Sequence, residues 1–269
     1  KSESKDFFDT TKVTNRCFEL DWKRCVGQKT MVNVFQITDG DILKKELKEI
    51  KEAVKRRYRH IMDVFTMFSA ASRGDPACMD SVDWRKFCEM THILGGKTNS
   101  NYLNEVFNLA NEEDDPDSLE GQVNPDKLLM RYEFLECLLR VAMKKYFAGD
   151  PSDAVNTFFD KHFLKYFGED QVHDRDQFRK DRLYNDAVEA ILKKYKRKLK
   201  LFFHSTADRV KYISWDCWRK FLEKTNSIDE EFSRRQAGLV FQWSKMRVSD
   251  EIKGHEHVEL INFTGFLEM

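Results

Sequence analysis

Two clusters of fixed positive charge are the residues best placed to recognise a partner. Lys55-Arg56-Arg57-Tyr58-Arg59-His60 and Lys193-Lys194-Tyr195-Lys196-Arg197-Lys198-Leu199-Lys200 each crowd cations into a short run. On a helix such charges wrap much of the circumference. Their local potential favours an acidic partner: a tubulin tail or other acidic protein, anionic lipid, or nucleic acid. The plain alternative is a solvated helix whose charges pair with nearby Glu and Asp. Lys plus Arg and Asp plus Glu are each 46, a formal net charge of zero, so a generally basic nucleic-acid binder is excluded. A protein partner is expected, reached through Lys55, Arg56, Arg57, Arg59, Lys193, Lys194, Lys196, Arg197 and Lys198.

Catalytic chemistry has little support. The chain lacks a Gly-rich phosphate loop, a GxSxG elbow and an HExxH zinc motif. Carboxylate pairs discriminate nothing where 34% of residues are charged. His255 and His257 lie in a polar loop without a Cys or His at zinc-ligand spacing. No catalytic residue is assigned and no enzyme is expected. The six cysteines (Cys17, Cys25, Cys78, Cys88, Cys137 and Cys217) are scattered and read as buried thiols of an intracellular protein. No apolar run approaches the 18 residues of a membrane span.

The positioning elements read as all-α. Eleven Gly and four Pro give few turns, while 22 Phe, 8 Tyr and 5 Trp supply a core. Leu43, Leu47, Ile50, Val54, Ile61, Val64, Phe65 and Phe68 recur at spacings of three, four and seven, which predicts a helix over 41–68. Further helices are expected over 82–93, 101–110, 131–147, 152–167, 214–223 and 230–245, and over 176–203 with a possible break. The β-branched run 31–37 is the best strand.

An internal repeat organises these helices. Trp84-Arg85-Lys86-Phe87 recurs as Trp218-Arg219-Lys220-Phe221 at an offset of 134, and Val106-Phe107 as Val240-Phe241 at the same offset. Phe134-Leu135-Glu136 matches Phe266-Leu267-Glu268 at offset 132, and Val64-Phe65 matches Leu201-Phe202 at offset 137. The offsets change inside expected loops, where insertions cost little. Trp84, Phe87, Phe134, Trp218, Phe221 and Phe266 are the expected structural anchors of two lobes.

Each lobe reads helix, loop, short apolar step, helix, twice over, and so resembles a pair of EF-hands. Leu129, Glu133 and Phe134 fit that family's loop ending, as do Ile261, Gly265 and Phe266 with Gly in place of Glu. A calcium loop needs oxygen ligands at positions 1, 3 and 5, Gly at 6 and Glu at 12. Counting back from Glu133 gives Gln122, Asn124, Asp126 and then Lys127 at the Gly position. Position 12 falls on Asp83, Cys217 and Gly265 in the other three loops. No cofactor is therefore expected; calcium enters only as a candidate, through Asn124, Asp126 and Glu133.

The pattern is similar to the tandem degenerate EF-hand modules of cytoskeletal, ciliary and flagellar proteins of protists. The resemblance implies a scaffold docking partner helices in lobe grooves within an axonemal or microtubule-associated assembly, in the cytoplasm or a cilium. A calcium sensor with one atypical loop and a regulatory domain of a larger enzyme are the alternatives. The expected layout is an N-terminal extension over 1–40, a degenerate lobe over 41–147, a packed helical connector over 148–190 and a second lobe over 191–269. Lys1 at the start, and Met269 just after an opening helical turn, suggest a piece of a longer protein with that lobe cut at its last helix.

Overall fold

The computed structural model describes residues 8–28, 30–35, 40–70, 76–112, 115, 117–124, 127–168, 172–207 and 211–269. The fold is mostly α-helical. Helix α1 (Thr11–Gly27) leads into the short α2 (Met31–Val34) and the 30-residue α3 (Gly40–Ser69). The expected strand at 31–37 is thus corrected to helix at its start. Met31 and Phe35, four residues apart, are both buried, which is a helical repeat and not alternation; residues 36 and 37 lie outside the described residues.

After α3 come β1 (Met79–Asp80), α4 (Ser81–Met90), α5 (Ser100–Ala110), α6 (Leu119–Val123), β2 (Leu128–Leu129) and α7 (Arg131–Tyr146). Next is α8 (Pro151–Phe158), which runs on as a π-helical turn at Phe159–Phe163. A second such turn, Arg179–Leu183, follows α9 (Arg175–Phe178) and separates it from α10 (Asp186–Thr206). Asn185 follows the break expected within 176–203 and starts α10 by accepting the Val188 N–H. The chain closes with β3 (Ile213–Ser214), α11 (Trp215–Lys224), α12 (Arg234–Trp243), α13 (His255–Glu259), β4 (Leu260–Ile261) and α14 (Phe263–Glu268). Helix α12 starts later than its expected residue 230 because Ser233 and Gln236 cap one another's backbone N–H there.

The repeat is visible in the local geometry. Met79 pairs with Leu129 and Ile213 with Ile261, each in a two-residue antiparallel ladder. Trp84 stacks on Phe87 with ring centroids 5.6 Å apart, and Trp218 on Phe221 at 5.5 Å. Helices α4 and α11 end alike. Thr91 and Thr225 return their hydroxyls to the Phe87 and Phe221 carbonyls, and His92 and Asn226 follow at positive φ, 52° and 49°.

The apolar interior is unequal. The larger core joins α1, α3, α4, α5 and α7 to Phe158, Phe159, Phe163 and Phe167 of the connecting segment. A smaller one gathers Phe203, Ile213, Trp218, Leu222, Ala237, Phe241 and Ile261. Gly238 of α12 lies so close to the end of α3 that a Cβ there would sit 2.4 Å from the Ala70 carbonyl oxygen. Only glycine permits that approach.

Candidate functional site

Two of the four loops marked in the sequence show what occupies their cation positions. Glu133 is buried and its carboxylate is already engaged. Oε2 accepts the Met130 N–H at 2.7 Å, and Oε1 accepts from Asn124 Nδ2 at 2.5 Å and the Tyr132 hydroxyl at 3.2 Å. Glu133 thus reaches back to cap α7. Lys127 adopts φ 68°, the left-handed turn for which a calcium loop uses glycine, and its N–H donates to Asn111 Oδ1. Asp126 lies outside the described residues. In the matching place of the last loop, a Cβ on Gly265 would sit 2.8 Å from the Ser244 carbonyl oxygen, so no larger residue fits. There Asn262 caps the helix by accepting the Gly265 N–H. Among the described residues, no group of three or more His, Cys, Asp or Glu is gathered to hold a metal ion. His255 pairs with Glu259 at 3.1 Å and His257 lies against the Tyr212 ring.

The two basic stretches fall in different surroundings. In α3 the cations are largely absorbed. Arg57 lies over the Phe159 ring and pairs with Asp160 at 3.0 Å and Asn156 at 3.1 Å. Arg59 pairs with Asp174 and Asp176, and Lys55 lies over Phe18 and 3.9 Å from Glu19. Arg56 is exposed. In α10, Lys193 pairs with Glu189 of its own helix and Lys194 lies over its neighbour Tyr195. Lys196, Arg197 and Lys198 are exposed, with no ion pair among the described residues.

The apolar positions diverge in the same way. At the offset of 137 that aligns α3 with α10, Val54, Tyr58, Val64 and Phe65 match Ile191, Tyr195, Leu201 and Phe202. The first four are 0%, 1%, 0% and 4% exposed; the second four are 58%, 42%, 65% and 39% exposed. Helix α3 is covered by α1 and α8, whereas α10 has Phe203 as its one buried residue. At 3.6 residues per turn, Ile191, Tyr195, Lys198 and Phe202 form one ridge, with Lys194 and Leu201 on the next.

The anchors hold these faces with unequal grip. Trp84 donates its indole N–H to the Leu103 carbonyl at 3.0 Å, and Phe134 packs on Phe65, Phe87 and Trp84. Trp218 has no hydrogen-bond partner for its indole nitrogen among the described residues. Phe266 packs on Phe202 and Phe203, and Phe221 on Phe202; Phe221 and Phe266 are partly buried at the edge of the smaller core.

No sequence motif marks the buried ionic clasp. Arg131 at the start of α7 pairs with Asp21 of α1 at 2.5 Å and with Glu251 at 3.1 Å, and Asp21 also accepts the Tyr58 hydroxyl. Arg247 pairs with Asp9 and Asp63, Arg175 with Asp9, and Arg179 with Asp176 and Glu268. Arg24 adds Asp250, while Ile252 packs on Cys78, Met130 and Tyr132. The segment around 245–252 therefore locks onto α1 and α7. Burial pushes the Glu251 carboxyl up despite Arg131 beside it. For Asp9, burial pulls upward, but Arg175 and Arg247 outweigh it and hold the carboxyl below its ordinary value. One signal for the clasp was present in the sequence: Val13, Cys17, Phe18, Trp22 and Cys25 have helical spacing and mark α1 as a core helix.

The chain matches no family model, no curated protein and no solved structure.

Proposed function

We propose that the chain is a non-catalytic protein-interaction module made of two EF-hand-like units, with the second unit facing the partner. The observation that carries this reading is the open apolar and basic face of α10, set on a body held by the buried clasp. A rigid body spares a partner the cost of ordering the surface it binds. The EF-hand-like part is supported by the antiparallel pairs Met79 with Leu129 and Ile213 with Ile261, each between two helix-loop-helix segments. The engagement of Glu133 in helix capping supports action without calcium. The test is affinity capture by the immobilised chain from an extract of the cell that expresses it, in calcium and in chelator. A partner retained in near-stoichiometric amount under both conditions is expected. Retention of no protein would overturn the reading, and retention in calcium alone would replace it with a calcium sensor.

A further inference from the structure

The covered face of α3 supplies a template for the open face of α10. In the first unit Arg57 lies over the Phe159 ring and pairs with Asp160, so one aromatic-carboxylate dipeptide of a helical segment answers the cation, while the Phe18 ring of α1 packs on Tyr58 beside it. The matching cation in α10 is Lys194, bordered by Ile191, Tyr195, Lys198, Leu201 and Phe202. We infer that this face of α10 docks an acidic amphipathic helix of a partner protein, with an aromatic residue on Ile191 and Tyr195 and an adjoining carboxylate on Lys194 and Lys198. The inference rests on the interaction-module reading and adds the docking face and the chemistry of the partner.

Charge selects among the occupants. Two copies of α10 would bring Lys194, Lys196, Arg197 and Lys198 against their own kind, which disfavours self-association through this face. A phosphate backbone would answer the lysines and leave Ile191 and Leu201 in water. An acidic helix answers both, by helix-in-groove recognition with anchors at spacings of three and four. A bilayer containing anionic lipid would also bury apolar side chains beneath lysines. The α3 template favours the helix, since the cover there is a protein segment bearing Phe159 and Asp160.

The probe is a fluorescent peptide with the sequence of residues 150–167 carrying Lys161→Glu and Lys165→Glu, read by anisotropy against the full chain. Saturable binding is expected. Lys194→Glu with Lys198→Glu, and separately Ile191→Gln with Leu201→Gln, should each weaken it about tenfold or more. The control pair Lys211→Glu with Lys224→Glu should stay within about twofold of wild type, the scatter expected of charges outside the contact. All four substituted α10 positions are solvent-exposed, so an unchanged melting curve shows that the variants fold. A peptide carrying Phe159→Ala should bind about tenfold more weakly. Absence of saturable binding, or equal affinity for wild type and the α10 variants, overturns the inference. So does binding to phosphatidylserine-phosphatidylcholine vesicles that needs Ile191 and Leu201 and that the peptide does not displace. Peptide failure beside a cellular partner still captured by the α10 variants refutes this docking face alone; capture of no protein by the wild-type chain refutes the module itself.

Discussion

The sequence match at offset 137 sets Val54 of α3 beside Ile191 of α10, yet one is sealed from water and the other stands in it. What lies outside the helix makes the difference. Helix α3 is clasped by α1, through Phe18 and Asp21 at Tyr58, and by α8, through Phe159 and Asp160 at Arg57. Among the described residues, helix α10 meets α11, α14 and the Arg179–Leu183 turn, and leaves Ile191, Tyr195 and Leu201 exposed. Similar sequence therefore does two jobs: one copy builds the core, and the other presents the same kind of surface outward. A basic apolar helix is neutralised when the chain supplies Asp and Phe to cover it, and it stays exposed when the chain does not.

The anchors offer the strongest way to break this contrast. Trp84→Ala should cost about 4 kcal/mol, because Trp84 is sealed in the larger core and donates to the Leu103 carbonyl. Trp218→Ala should cost about half as much, since its cluster is smaller and its indole nitrogen has no partner among the described residues. Urea unfolding read by near-ultraviolet circular dichroism checks both; equal losses would show that the two units are equally packed.

The clasp comes next. Asp21→Asn should destabilise the chain by about 3 kcal/mol, because it leaves Arg131 buried with a weakened counter-charge. Unfolding midpoints measured beside the exposed control Lys196→Asn give the difference. Asp9 supplies the pH signature. Its folded carboxyl lies below its ordinary value, so its stabilisation is present above about pH 4 and is lost as pH falls through the folded value. Asp9→Asn should therefore lower the melting temperature at pH 7 by several degrees, with the gap closing as pH falls through the lowered folded value. A gap that persists in acid would assign the effect of Asp9 to packing.

The smallest effect concerns the loops. Calcium at millimolar concentration should leave the melting temperature of the wild-type chain unchanged, because the Glu133 oxygens serve the helix α7 cap. Glu133→Gln should cost about 1 kcal/mol through that cap, with or without calcium. Differential scanning calorimetry in calcium and in chelator reads both outcomes.

The all-α character and most helices were legible because apolar spacing reports local burial. The strand expectation at 31–37 failed because β-branched composition carries no information about the burial of Met31 and Phe35 on one helical side. Asp21, Arg131, Glu251 and Arg247 escaped notice for a different reason. In a chain with 46 acids and 46 bases, the few charges drawn inside differ only in their tertiary surroundings. The basic stretches were visible, but their fates were not. The neutralising residues of α3 lie about one hundred positions away, at Asp160, Asp174 and Asp176. The glycine at 265 also has a tertiary cause, the Ser244 carbonyl pressed against it.

The most direct measurement is a matched pair of unfolding curves for Val54→Ala and Ile191→Ala. Val54→Ala should cost about 2 kcal/mol from lost burial and a residual cavity, while Ile191→Ala should stay within about 0.5 kcal/mol of wild type. Losses of the same size at both positions would mean that the α10 face is already covered within the chain, and would contradict its role as the docking surface.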